Sequence, residues 1–178
     1  SLLETQGLAN SEVFILQTQD KNLIKSMDIP TDSLEGYLFP ETYYLSKLTP
    51  ENKIVQKMVN TFKEKVLKSQ LLKSTKESPL SLHEIITLAS LIEKETGLDS
   101  ERKLISSVFH NRLRKNMRLQ TDPTVIYAIE KFDGNIRRRD LKIDSPYNTY
   151  RYKGLPPGPI SSPGIKSIEA AISPIKSN

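Results

Sequence analysis

The sequence contains no cysteine, which rules out a disulfide framework and any thiolate metal site. Its two histidines, His83 and His110, are too far apart for a dedicated zinc motif, so neither a metal nor a cofactor is expected. No apolar run approaches the roughly 20 residues that span a bilayer. The opening SLLETQGLAN has neither the basic start nor the apolar stretch of a signal peptide, so any export or anchor signal is expected outside these residues. Also missing are the G-x-S-x-G elbow, the P-loop and G-x-G-x-x-G. With the common nucleophilic and phosphate-binding motifs gone, carboxylates remain as the catalytic groups.

What is present fits one ordinary domain, with or without a small accessory lobe: 178 residues, 37% hydrophobic and 26% charged. The net charge of +5 is densest in RLRKNMR at 112–118 and in Arg137, Arg138 and Arg139. These clusters read as solvated helix and loop faces. No helix-turn-helix, zinc-finger or RRM signature accompanies them, so nucleic acid is not an expected partner.

Residues 1–30 read as two short helical pieces, the first capped by Ser11, forming the tail of a preceding segment that runs to about residue 33. The aromatic stretch SLEGYLFPETYYL, interrupted by Gly36 and Pro40, reads as strand or turn. A helix is expected from Pro50 to about Lys68 behind a Thr49 cap, with Ile54, Met58, Phe62 and Val66 on one face. Ser69 to Pro79 reads as a linker. Ser81 and Glu84 form a capping box, and apolar residues continue at helical spacing to Gly97. A second helix capped by Ser100 would turn Leu104, Val108 and Leu113 to the core, and a third begins at Asp122-Pro123 and runs to about Glu130. Beyond Lys131 the many glycines and prolines predict loops and short strands, followed by a last helix capped by Ser162 and ending before Pro174. The predicted class is α+β: helix-rich, with short strands and Pro/Gly-rich loops.

The best candidate for chemistry is LASLIEKETG, where Glu93 and Glu95 close the Ser81 helix beside Leu88, Leu91 and Ile92. A glutamate against apolar residues at a helix C-terminus feels desolvation and the negative end of the helix dipole, and both favour the protonated, proton-donating form. Periodicity leaves the choice between the two open. It leans to Glu93, which falls between the directions of Leu82 and Ile86, whereas Glu95 lies at the edge near Leu88. Ordinary surface carboxylates, paired with Lys94 or Arg102, would fit the same spacing.

The strings LASLIEKETG, SVFHNRLRKNMRLQTDPTVIYAI, SPYNTY and GLPPGPISSPGIKSIEAA, with EGYLFPETYY ahead of them, resemble in order and separation the motifs of the endolytic murein transglycosylase (YceG-like) family. The resemblance covers roughly Leu34 to Pro174 and implies a catalytic domain over 34–178. It implies cleavage of peptidoglycan glycan strands between N-acetylmuramic acid and N-acetylglucosamine with formation of 1,6-anhydro ends. The family's catalytic residue, the second glutamate of E-x-E-T, falls on Glu95.

Substrate contacts are then expected from Glu93, from Gln120, Thr121 and Asp122 of LQTDPT, and from Tyr147, Asn148 and Tyr150 of SPYNTY, since rings stack on pyranose faces and amides match hydroxyl and N-acetyl groups. Asp122 would equally serve as the cap of the helix that Pro123 begins. The resemblance also implies a place on the extracytoplasmic face of the bacterial inner membrane, an anchor outside this stretch, and work beside the cell-wall synthesis proteins. A muramidase that hydrolyses the same bond and a non-catalytic peptidoglycan-binding protein are the alternatives.

Overall fold

A computed structural model describes residues 2–69, 71 and 78–175, so most of the linker expected over Ser69 to Pro79 lies outside the described residues. The chain is all-helical, with 49% helix and no strands among the described residues. This corrects the α+β expectation. The aromatic and Pro/Gly-rich stretches that suggested strands form turns instead. Pro146, Pro156, Pro157, Pro159 and Pro163 carry no N–H to donate to a ladder, so the later stretch is poorly suited to a sheet.

Three short helices come first: α1 (Leu2–Thr5), α2 (Ser11–Gln17) and α3 (Lys21–Lys25). The cap of α2 is Asn10 rather than Ser11, because the Asn10 side chain accepts from the backbone N–H groups of Glu12 and Val13. α4 (Glu51–Phe62) runs on into a π-helical turn, Lys63–Leu67, and buries Ile54, Val55, Val59, Phe62 and Val66. α2 packs on α4, and the Asn10 N–H donates to Glu51 Oε1 at 2.8 Å.

The centre of the molecule is α5 (Leu82–Glu95), opened by the expected capping box of Ser81 and Glu84. Every residue from Ile85 to Ile92 is buried, so this helix is enclosed on all sides rather than amphipathic. Around it stand α6 (Asp99–Arg114), α7 (Asp122–Ala128) and α8 (Ile165–Ile172). No helix among the described residues is long and apolar enough to cross a membrane.

α6 departs from its expected orientation. It starts at Asp99 without a Ser100 cap, and of the three residues expected inside only Leu113 packs against the core, whereas Leu104 and Val108 are exposed and Arg102, Ser106, Ser107 and Phe109 face inward. The reason lies in α8. Ser106 Oγ donates to the Ala170 carbonyl at 2.7 Å and the His110 ring to that of Ala171 at 2.8 Å. These are carbonyls of the last turn of α8, which have no partner within their own helix. Polar side chains of α6 therefore serve as the C-terminal cap of its neighbour.

Two loops close over the other end of α5. Gly36 has φ +84°, and a Cβ there would meet the Pro159 ring at 2.4 Å, so the two loops touch backbone to ring. Tyr37, fully buried and edge-on to Phe62, donates its hydroxyl to His83 Nδ1 at 2.7 Å. A carbonyl only accepts, so His83 Nε2 carries the proton that binds the Pro157 oxygen at 2.9 Å. Burial pushes the Tyr37 phenol up, which keeps it a donor.

Candidate catalytic site

Glu95 is the last residue of α5, and the C-cap residue Thr96 is already extended, so its side chain leaves the enclosed helix at the surface. It is exposed, unlike the apolar-packed carboxyl expected there. Its Oε2 accepts a hydrogen bond of 2.6 Å from Thr121 Oγ1. Thr121 is buried and occupies the N-cap position of α7, with Asp122 as the first helical residue, yet it makes no side-chain cap bond. A threonine that caps typically contributes about 1 kcal/mol to its helix. Here the hydroxyl is spent on Glu95 instead.

The base beneath Thr121 is fixed by hydroxyls and backbone. Its N–H donates to Thr149 Oγ1 at 3.1 Å, and the Thr124 and Thr149 hydroxyls are 2.8 Å apart. Gln120 sits beside it at φ 52°, in the left-handed region that a non-glycine residue rarely occupies, and its N–H donates to the Thr149 carbonyl at 3.2 Å. Arg112 Nη1 holds this turn by donating to the Leu119 carbonyl at 2.6 Å and to Gln120 Oε1 at 3.4 Å. On the outer side the Tyr150 hydroxyl donates to Asp122 Oδ1 at 2.6 Å. That bond pushes the phenol up to about 12, with help from partial burial and the negative charges of Asp122 and Glu95, against a smaller opposing effect of Arg112.

The other candidates are placed differently. Glu93 is engaged in the fold: its Oε2 accepts from Arg102 Nη1 at 3.2 Å and from the Gly164 N–H at 3.0 Å. Gly164, not Ser162, is the N-cap residue of α8, so Glu93 ties α5 to the start of that helix. Asn148 is fully buried, its amide donating to the Leu141 and Ile143 carbonyls and its Oδ1 accepting from the Tyr150 N–H at 3.0 Å. It presents no atom to the surface and builds the loop that carries Tyr150. The Tyr147 ring lies against Tyr127, with centroids 4.7 Å apart.

Glu95, Gln120, Thr121, Asp122 and Tyr150 therefore come together, and sequence reading missed two members of this neighbourhood. Thr149 carried no signal because a lone threonine between larger candidates is unremarkable. Arg112 was hidden in the basic run that read as a solvated face. No group of three or more histidine, aspartate or glutamate side chains among the described residues could hold a metal ion.

Fold and site together define a helical domain built around one enclosed helix, whose last residue is a solvent-facing carboxylate held by a hydroxyl from a neighbouring element. Residues 3–178 match the model of the YceG-like family. The chain belongs to the YceG-like family.

It is 46% identical over 149 residues to an endolytic murein transglycosylase of Bacillus subtilis, covering 82% of this chain and 40% of that protein. To the endolytic murein transglycosylase of Streptococcus pneumoniae it is 37% identical over 178 residues, covering 94% of this chain and 32% of the relative. The chain thus spans well under half the length of these curated relatives. A crystal structure of a YceG-like protein from Listeria monocytogenes superimposes with a TM-score of 0.83 at 35% identity, covering 99% of this chain and 62% of that one.

Proposed function

We propose that this chain, over 34–178, is the catalytic part of an endolytic lytic transglycosylase that cleaves the bond from N-acetylmuramic acid to N-acetylglucosamine and leaves 1,6-anhydro ends. The observation that carries this reading is the Thr121 hydroxyl, withdrawn from capping α7 and placed 2.6 Å from the exposed carboxyl of Glu95. The names of the curated relatives point to the same substrate.

Glu95, protonated, gives its proton to the departing glycosidic oxygen as positive charge develops at C1 of the muramyl ring. The resulting carboxylate then accepts the proton of the muramyl C6 hydroxyl as that oxygen closes on C1, which returns Glu95 to its starting state. Thr121 suits both stages, because a hydroxyl donates to a carboxylate and accepts from a carboxylic acid. No water is activated, so a second catalytic carboxylate is not obligatory, and the substrate's own N-acetyl group can assist. Gln120, Asp122, Tyr147 and Tyr150 supply contacts to the sugars. Asn148 and Glu93 act from behind, one shaping the Tyr150 loop and the other fixing α5 against α8.

The chain would work on the extracytoplasmic face of the bacterial inner membrane, beside the cell-wall synthesis proteins, held by an anchor outside this stretch. Digestion of purified glycan strands with product masses tests the reading. Ends lighter by one water than hydrolytic ends support it. Hydrated ends would make the chain a muramidase, and strand binding without any release would make it a binding protein.

A further inference from the structure

The segment from Tyr147 to Tyr150 lies antiparallel alongside α7. Tyr150 meets Asp122 at the start of the helix, the Thr149 hydroxyl meets that of Thr124 further in, and Tyr147 meets Tyr127 near its end. At 1.5 Å rise per residue, Tyr127 lies about 9 Å beyond Thr121 along the axis. The Glu95 contact and the tyrosine pair are thus linked by one segment, 147–150, that runs the length of α7.

At the far end the Tyr127 hydroxyl donates to Glu35 Oε2 at 2.6 Å, and the Tyr127 and Tyr147 rings are tilted by 46°. Tyr127 is 37% exposed and Glu35 is exposed, while Tyr147 is half-buried. A Cβ on Gly158 would lie 3.4 Å from the Tyr147 hydroxyl, so the Pro/Gly-rich loop backs the pair. Rings serving only the core would be enclosed, as Tyr37 is. Tyr127 instead keeps more than a third of its surface open, with the partly buried Tyr147 ring tilted against it, beside a carboxylate with room for further donors, since a carboxylate accepts up to about four hydrogen bonds and Tyr127 supplies one. Apolar ring faces match the C–H faces of a pyranose, and the carboxylate matches its hydroxyls.

We propose that Tyr127, Tyr147 and Glu35 form a second glycan subsite, which holds a sugar of the strand other than the ones joined at the bond facing Glu95. The proposal rests on the reading of the chain as a peptidoglycan-cleaving enzyme. A strand laid along α7 touches Tyr150 and Asp122 near the scissile bond and the tyrosine pair farther out. The outer contact contributes binding without taking part in proton transfer, so it acts on KM and not on kcat.

The test is steady-state cleavage of peptide-free glycan strands by the wild type, Tyr127→Ala and Tyr127→Trp, with strand binding measured in parallel on the Glu95→Gln background. Tyr127→Ala is expected to raise KM and the dissociation constant about five- to tenfold while kcat stays within about twofold. Tyr127→Trp keeps an aromatic face and should restore most of the loss. The chain has no tryptophan of its own, so the emission of this single indole should also shift when strands are added. Unchanged KM and binding in Tyr127→Ala, or a loss that falls on kcat and is not rescued by tryptophan, overturns the subsite. If no variant cleaves strands yet Tyr127→Ala still weakens their binding, the subsite stands and the catalytic reading falls. Normal cleavage with binding indifferent to Tyr127 removes the subsite and leaves the catalytic reading in place.

Discussion

Glu93 and Glu95 leave the final stretch of α5 on nearly opposite sides, one bound at 3.2 Å to the Arg102 guanidinium and the other at 2.6 Å to the Thr121 hydroxyl. Two positions along a helix amount to about 200° of rotation, so the pair is divided between the interior seam with α8 and the solvent. One carboxyl is committed to holding helices together. The other faces outward and remains available for chemistry.

This division predicts opposite phenotypes for two equivalent substitutions. Glu95→Gln should reduce strand cleavage by about 10² to 10⁴-fold, the range of a general acid or base, with the melting temperature unchanged. Glu93→Gln should retain cleavage near wild type but lower stability by about 1–2 kcal/mol, because the buried Arg102 loses part of its neutralisation. Calorimetry and product release on both variants check this, and a reversed ranking would move the acid to Glu93.

Thr121→Val keeps the shape of the side chain while removing the hydroxyl that meets Glu95. Cleavage should fall about tenfold, the worth of one well-placed hydrogen bond, with stability within about 1 kcal/mol of wild type. Thr121→Ser should recover most of it. Equal activity in the valine and wild-type proteins would show that the contact has no part in catalysis.

Gly36→Ala combines an unfavourable positive φ with a collision against the Pro159 ring, and should cost about 2–4 kcal/mol in urea unfolding. Gly134 also has positive φ, +95°, but faces open space. Its alanine variant should lose only about 1 kcal/mol. Similar losses at both positions would mean that the contact between the two loops is unimportant.

The Tyr150 phenol, pushed up to about 12 by Asp122, binds its proton more tightly in the folded chain than in the unfolded one. Its contribution to stability is therefore fully present below the ordinary tyrosine value near 10 and is lost as pH rises through about 12. The ultraviolet titration difference between wild type and Tyr150→Phe should isolate a phenol ionising near that upper value. In the Asp122→Asn background the same difference should move back toward the ordinary range, and an unmoved titration would assign the shift to burial alone.

The parts of the fold legible in the sequence are those set by neighbours along the chain. The capping box of Ser81 and Glu84 involves residues one turn apart, and the apolar run behind it is dense enough to leave no choice but a helix. The orientation of α6 is not legible because its inward face mixes apolar with polar residues: Arg102, Ser106 and His110 are drawn to partners on α8 more than sixty positions later, which no local period encodes. The aromatic stretch around Tyr37 resembles a strand because aromatics favour strands, yet its burial comes from turns packed over Phe62 and His83. For the site, periodicity leans to Glu93, and only the likeness of E-x-E-T to a known family points to Glu95. The Thr121 contact is out of reach, since the local pattern gives the cap role to Asp122 ahead of Pro123 and nothing in it pairs a threonine hydroxyl with a carboxyl 26 positions earlier.

The bond between Thr121 and Glu95 joins the end of one helix to the entrance of another, and neither element can place this carboxyl–hydroxyl pair, the proposed acid and its partner, alone. Secondary structure and competence are consequently separable. A loosened form that keeps every helix but lets α7 drift from α5 would retain its far-ultraviolet circular dichroism and lose the contact between Thr121 and Glu95. Heat or mild denaturant should therefore abolish turnover before the dichroism signal changes, so enzymatic assay is the finer gauge of how tightly this molecule is packed.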